Sequence, residues 1–513
     1  MSHNRRRRLV APVALAACAT LALGATPAAA TGQPDGPALA KQLVKKVGVD
    51  GINRHLVAFQ RFADTNNGTR AASTEGHKKS AEYIATKLAA AGYDVTRQEF
   101  PFTYSETLAE KLAVAGQAVP VIAMEYTKST PVGGVTAPLA VVPVTAATGC
   151  AAADYGDVTG KIALIKRGGC SFAQKQQAAA AAGATGAIVY NNEDGALNGT
   201  LGSPADAKIP TGGITQAAGE ALAKQGGASV TLELRAFQEA RTSYNVIAET
   251  KTGRKDNVVM LGAHLDSVPA GPGINDNGTG SATLLETALQ LGSKPKVNNA
   301  VRFGFWSAEE FGLVGSKYYV RSLGFEQQLD LALYLNFDMI GSPNAGYFAY
   351  DGDNSDNVGA GPGPYGSAQI EKTFVDYLGS KGVQVEGTDF TGRSDYGEFI
   401  ANGIPAGGLD TGAEGLKTAA QAAKWGGKAG VAYDPCYHQA CDNLGNIDRV
   451  ALDRNADGVA WALGVYATST ETVNGVAPGK AVKAKAQRAA ERGAQRHSLA
   501  APSGNMDPHH TAA

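Results

Sequence analysis

The sequence predicts an α/β protein with a mostly parallel central sheet, helices on both of its faces, and a β-rich insertion. Three observations predict this. Short apolar runs at residues 258–263, 301–306 and 331–337 alternate with helical patterns, as in a parallel sheet buried on both faces. From about Pro131 to Arg241 the pattern changes to closely spaced short strands. The 64 Gly residues and heavy Ala use lack the three-residue period of collagen and suit tightly turned, closely packed α/β structure.

Length and charge narrow the classes further. A chain of 513 residues, 44% hydrophobic, has room for roughly two to three domains with real cores and is not a largely disordered chain. The net charge is −1. Residues 1–30 carry four Arg and no acid, while the segment from Pro478 carries six Lys or Arg and two acids; without both, the body is at −9. No basic field favours nucleic acid.

In chain order, Arg5 to Arg8, an Ala-rich apolar run and Ala28-Ala29-Ala30 read as an export signal over 1–30. Leu15-Ala16-Ala17-Cys18 also matches a lipobox, so a lipid anchor at Cys18 is the alternative to secretion. No later run is long and apolar enough to span a bilayer. Residues 31–125 form the first part of the main domain. There Ser73 to Glu75 cap a helix with apolar Tyr83, Ile84 and Leu88, and Tyr93-Asp94-Val95 opens a strand. Residues 126–241 form the insertion, with short strands and one Ala-rich helix over 172–182. Residues 242–477 resume the main domain, and 478–513 form a basic tail with no packed core.

Four cysteines lie outside the signal. In an oxidising compartment they predict two disulfides, and local pairing of Cys150 with Cys170 and of Cys436 with Cys441 is the simplest of three connectivities. The competing reading is a zinc site. Cys436 and Cys441 just meet the widest knuckle gap, but Cys150 and Cys170 are too far apart to supply the other half.

The candidate chemistry lies at strand ends, where parallel sheets carry function. His264 follows residues 258–263, with Asp266 two positions on. Asp276 lies in Gly273-Ile-Asn-Asp276-Asn-Gly-Thr-Gly280. The next runs end in Glu309-Glu310 and in Asn336-Phe-Asp338. One such Asp is more often a helix cap. Acids and a His at three equivalent strand ends read better as a metal site. His264, Asp276, Glu310 and Asp338, joined by His438, offer two imidazoles and three carboxylates, a set suited to Zn²⁺. Asp266 is placed to accept the other ring N–H of His264. Of the four histidines in the body, His55 and His77 have no such context. No Gly-x-Ser-x-Gly and no His-Glu-x-x-His occurs, which disfavours serine hydrolases and thermolysin-type zinc sites.

These motifs, with Cys436-Tyr437-His438, together resemble the secreted two-zinc aminopeptidases of the bacterial and yeast vacuolar type, over roughly residues 34–467. The stretch Gly160-Lys-Ile-Ala-Leu-Ile-Lys-Arg-Gly-Gly-Cys-Ser-Phe172, with Ala182-Gly-Ala-Thr-Gly-Ala-Ile-Val-Tyr190, resembles a protease-associated domain. The resemblance implies that His264 and Asp338 bind one zinc, Glu310 and His438 a second, and Asp276 bridges. It further implies Glu309 as general base, Tyr437 as oxyanion donor and Arg393 in the substrate loop. Tyr396 stands where the family often has His and is assigned no role. A structural calcium is also implied, held by Asp453 and Asp457 with Asp35 and Gly36. The pattern from Asp453 to Gly458 is half a calcium loop, and Gly464 at the twelfth position excludes a complete EF-hand.

The implied protein is a monomeric secreted hydrolase that removes N-terminal residues, Leu or other large apolar ones, from peptide substrates. The alternatives are a broader peptidase that also cleaves N-acylated peptides such as leupeptin, a single-zinc glutaminyl cyclase, and a non-catalytic receptor-like protein on the same scaffold. Those receptor-like relatives typically lose ligands, whereas all five metal positions and Glu309 are present here.

Overall fold

The computed structural model describes Met1 and residues 35–480, except 146–147, 193–194 and 360. The export signal, the lipobox at Cys18 and the tail beyond Lys480 lie outside the described residues.

The strand Arg254–His264 lies in the middle of the peptidase sheet, flanked in parallel by Asn299–Trp306 and Leu331–Phe337. Leu331–Phe337 is buried along its whole length, as the unbroken apolar run requires. Ala406–Asp410 pairs parallel to it, followed by antiparallel Phe348–Tyr350 and the short strand Glu386–Thr388. Helices Glu75–Ala90, Gly280–Leu291 and Arg449–Tyr466 bury Ile84, Leu88, Leu284, Leu285, Val459 and Leu463 in one core with sheet residues Leu261, Phe303 and Leu335. Trp306, Tyr334 and Phe399 belong to a second core. Thr74 caps the first of these helices, its side chain accepting the His77 N–H at 3.4 Å. The helix Gly36–Lys46 crosses Arg449–Tyr466 closely enough that a Cβ on Gly464 would meet the Ala40 backbone at 2.3 Å, so only Gly fits there.

The insertion has parallel strands Val135–Val141, Ile162–Lys166, Gly186–Tyr190 and Thr211–Ile214. Helix Phe172–Ala181 is joined by a second, Gln216–Leu222, that the sequence pattern does not reveal. The expected break near Arg241 falls inside one continuous strand, Ser229–Glu249, which pairs antiparallel with Asp94–Val114 along its length. This long ribbon lies on the insertion at one end and on Asn299–Trp306 at the other. The backbone ladder runs on across Arg241, which pairs with Phe102, where the change of texture suggests an end. Cys150–Cys170 and Cys436–Cys441 are disulfide-bonded, with Cα atoms 5.8 and 5.3 Å apart. No helix among the described residues is long and apolar enough to cross a membrane.

Candidate metal and active site

His264 is the last residue of the central strand and is buried. The chain then turns through a loop that returns as the helix Gly280–Leu291. That loop bends at Gly273, whose left-handed φ of 59° and close approach to Ser267 exclude a side chain. Its far side presents Asp276. The carboxylate of Asp276 faces both imidazoles: Oδ1 is 3.2 Å from His264 Nε2, and Oδ2 is 3.3 Å from His438 Nε2. Asp338 Oδ1 stands 3.2 Å from His264 Nε2, and Glu310 Oε2 stands 3.0 Å from His438 Nε2. Glu309 lies on the His264 side at 3.9 Å. One cavity is lined by all of these with Arg393 and Tyr437.

The electrostatics of this cluster suit a cation. Burial alone would lower His264 and His438, but the surrounding carboxylates outweigh it, raising His264 well above its ordinary value and His438 to about 10. Burial raises Glu309 well above the usual carboxylate range, with Asp395, Glu310 and Asp338 adding to it. Burial also raises Asp266 to about 8. One oxygen of Glu310 is buried with no hydrogen-bond partner. Imidazole and carboxylate donors crowded in this way, with a buried oxygen left over, fit Zn²⁺.

On the other wall, burial holds the Tyr437 phenol well above its ordinary value, although Arg393 opposes the shift. It therefore keeps its proton at neutral pH. The Arg393 guanidinium donates to the Tyr437 oxygen at 3.2 Å and to Glu414 at 2.9 Å. Tyr437 stacks on His438 with ring centroids 3.8 Å apart.

A wider comparison decides the family. The probable lipoprotein aminopeptidase LpqL of Mycobacterium tuberculosis is 48% identical over 451 residues, 86% of this chain and 90% of the relative. The chain belongs to peptidase family M28. The profile of that family matches residues 245–463, and a PA domain matches 135–222. An aminopeptidase of Pseudomonas aeruginosa is 45% identical over 82% of each chain, and leucine aminopeptidase 2 of Trichophyton rubrum is 45% identical over 83% of this chain and 86% of its own. Among solved structures, the aminopeptidase from Aneurinibacillus sp. strain AM-1 has a TM-score of 0.66 at 30% identity, covering 86% of this chain and 97% of that one. BSAP, a zinc aminopeptidase from Bacillus subtilis, has a TM-score of 0.57 at 28% identity, covering 85% and 97%. As an M28 member the chain is a hydrolase, a zinc-dependent aminopeptidase with an inserted protease-associated domain.

Within this M28 site two expectations need correction. The ring Nδ1 of His264 meets the backbone carbonyl of Asp266 at 3.1 Å, while the carboxylate is 3.8 Å away. That carboxylate is turned to accept the Glu309 N–H at 3.2 Å. The four residues expected around calcium do not converge. Gly36 abuts Thr468, beyond the C-terminal end of the helix Arg449–Tyr466, while Asp453 accepts the Val49 N–H in its first turns at 3.1 Å. A helix rise of about 1.5 Å per residue puts these places about 20 Å apart. Asp35 caps its own helix through the Ala38 N–H, and burial raises Asp457 to about 6 beside Asp453. Tyr396 is buried, its hydroxyl accepting the Gly392 N–H at 2.9 Å.

Several supporting residues of the M28 site have no signature in the sequence. Arg70 is fully buried and donates to the carbonyls of Leu265, Pro272 (2.8 Å) and Gly273, tying down the loop before Asp276. Asp442 accepts the N–H groups of Asn275 and Asp276 at 2.8 and 3.0 Å. Ser394 donates to Asp338 Oδ2 at 2.6 Å, and Asn336 donates to Ser394 at 2.8 Å. Asn336, read only as part of a strand-end motif, is thus the strand's own support for the acid two residues later.

Proposed function

We propose that the protein is an exported two-zinc aminopeptidase that releases N-terminal residues, Leu or other large apolar ones, from peptides. The observation that carries the reading is the Asp276 carboxylate, with one oxygen turned to each imidazole and a further carboxylate beside each ring. His264 and Asp338 would hold one ion, His438 and Glu310 the other, and Asp276 would lie between them. When bound, zinc supplies Lewis acidity that acidifies water and polarises the scissile carbonyl.

The residues of the chain carry the rest. Glu309 accepts the proton of the attacking water and passes it to the leaving amine as the C–N bond breaks. The place of Glu309 in the cavity, 3.9 Å from His264, supports this role. Tyr437, kept protonated and oriented by Arg393, donates to the carbonyl oxygen as charge develops there. Met339, Phe348, Tyr350 and Tyr433 form an apolar part of the cavity beyond Asp338 and Tyr437, whose wall also carries Asp389, Asp410 and Glu414; that apolar part suits a large apolar side chain. The fungal relatives' name, leucine aminopeptidase 2, agrees.

Two disulfides and the Arg-led apolar N-terminus support export. The reading is a secreted protein. The mycobacterial relative is named a lipoprotein, so palmitate labelling would separate release from anchoring at Cys18.

Metal analysis with leucine p-nitroanilide turnover tests the core of the proposal. Two zinc ions per chain and loss of activity on chelation are expected. A fully metallated, active preparation holding one zinc would refute the two-ion reading.

A further inference from the structure

The loop that carries Glu309 and Glu310 is not held by the peptidase domain alone. Ala308 and Leu313, neither of them Gly, stand at φ of 58° and 61°, with Gly312 at 93° between them. Such backbone persists only where the surroundings fix it. One fixing point is the peptide unit joining Phe311 to Gly312. Its N–H donates to the Glu309 carbonyl at 2.9 Å. Its C=O accepts the hydroxyl of Tyr126 at 2.6 Å.

Tyr126 belongs to the insertion. Its ring is buried in the insertion's core with Met124, Val142, Tyr155 and Phe172. Its chain neighbours are tied to the same domain: Glu125 exchanges backbone bonds with Gly199 and Leu201 at 2.8 and 3.0 Å, and Thr127 accepts the Thr211 N–H at 2.7 Å. The Phe311 ring is seated on the ribbon, with centroids 5.3 Å from both Phe102 and Tyr104. From the peptidase side, Lys317 donates to the Gly312 carbonyl at 2.8 Å. The insertion therefore reaches the strained loop through the buried Tyr126 hydroxyl, a single peptide unit away from the Glu309 carbonyl.

We propose that the inserted domain positions the Glu309–Glu310 loop for catalysis, with Tyr126 as the positioning residue. The inference rests on the reading of Glu309 given above. Removing the hydroxyl frees the 311–312 peptide unit to rotate. A displaced general base slows the chemical step far more than it weakens substrate binding.

The test compares Tyr126→Phe with Tyr155→Phe. Tyr155 is also buried in the insertion's core, but its hydroxyl donates to Gly149 and Lys175 at 2.8 and 2.6 Å, within the insertion. On leucine p-nitroanilide, Tyr126→Phe should lower kcat about tenfold or more with KM within about twofold, whereas Tyr155→Phe keeps kcat at a similar cost in Tm. Phe311→Leu, which loosens the ring's seat, should reproduce the kcat loss if Tyr126→Phe does not fold. Equal kcat loss in Tyr126→Phe and Tyr155→Phe, or none in Tyr126→Phe and Phe311→Leu, overturns the proposal. Glu309→Gln runs alongside. If it is inactive while Tyr126→Phe turns over normally, only the positioning role falls. If Glu309→Gln is itself active, the reading of the doublet falls and this inference with it.

Discussion

His77 gives the peptidase domain a built-in acid sensitivity. It sits in the first turn of Glu75–Ala90, fully buried, with no hydrogen-bond partner on either ring nitrogen. Tyr244 meets it edge-on at 6.0 Å. Burial first, then the cations Arg70 and Lys78, lower its pKa from 6.5 to about 3. The unfolded chain thus binds a proton below pH 6.5 that the folded chain refuses. Stability contributed by this residue is intact above pH 6.5 and falls as pH drops from there towards 3. At pH 4.5 the loss is about 3 kcal/mol, from about 1.4 kcal/mol per pH unit. Against a typical total of about 5–15 kcal/mol that is a large share.

The measurement is urea unfolding of wild type and His77→Leu at pH 7.5 and 4.5. All three tryptophans, Trp306, Trp425 and Trp461, lie outside the insertion, so their fluorescence follows the peptidase domain. Groups that titrate in both proteins cancel in the difference. Relative to wild type, His77→Leu should gain about 3 kcal/mol on moving from pH 7.5 to 4.5. The same difference in stability at both pH values would refute the reasoning, because it would mean that the ring finds a proton acceptor or water in the folded state.

Other expectations follow from the site. Glu309→Gln should lower kcat about a thousandfold while zinc stays bound, whereas Glu310→Gln should weaken metal retention; near-normal kcat in the former would show the doublet to be misassigned. N-acetyl-leucine p-nitroanilide should be cleaved about a hundredfold less efficiently than the free-amine substrate, and similar kcat/KM values would favour a peptidase that accepts acylated peptides. A chain ending after Ala477 should keep full activity. One ending at Ser469 should not fold normally, since Val473 is buried and Asn474 donates to Asn257 at 2.8 Å.

What could be read in advance follows from how residues do their work. His264, Asp276, Glu310, Asp338 and His438 stand out because a metal site needs particular side chains, and a parallel sheet collects them at one edge. The helix patterns were legible for a similar reason, whereas the sequence assigns His55 and His77 no role. His55 lacks strand-end context and pairs with Tyr83 and Glu286 at 2.8 and 3.1 Å. Arg70 and Asp442 act instead on backbone groups between 166 and 203 residues away, which any residue type can supply. The four residues expected around calcium lie apart, since one acidic pattern and one N-terminal motif do not say which end of Arg449–Tyr466 each meets. The change of texture near Arg241 marks no end of a strand, since Ser229–Glu249 runs through it, while the M28 match begins at residue 245.

The Cys436–Cys441 disulfide does more than close a short loop. Tyr437 and His438 lie inside that loop, and Asp442, which accepts the Asn275 and Asp276 N–H groups, follows it directly. One covalent link therefore braces a residue at each end of the Asp276 carboxylate's surroundings: His438 at its Oδ2, and Asp442 behind its backbone. His438 itself stands at a left-handed φ of 57°, a conformation unfavourable for a non-Gly residue and dependent on such bracing. Closing so short a loop restricts the unfolded chain by only about 2 kcal/mol, so the global effect of losing it should be modest. The local effect should be larger. Replacing both cysteines with Ser should leave the fold standing but release zinc at lower chelator concentration, followed as zinc retained per chain during titration with a competing chelator. The loss should come with lower kcat, because Tyr437 moves with the loop. Unchanged zinc retention in the double variant would mean that Arg70, Asp442 and the Asp434–Asn446 contacts at 2.9 and 3.0 Å hold the ligands by themselves, and the disulfide would then be a matter of stability alone.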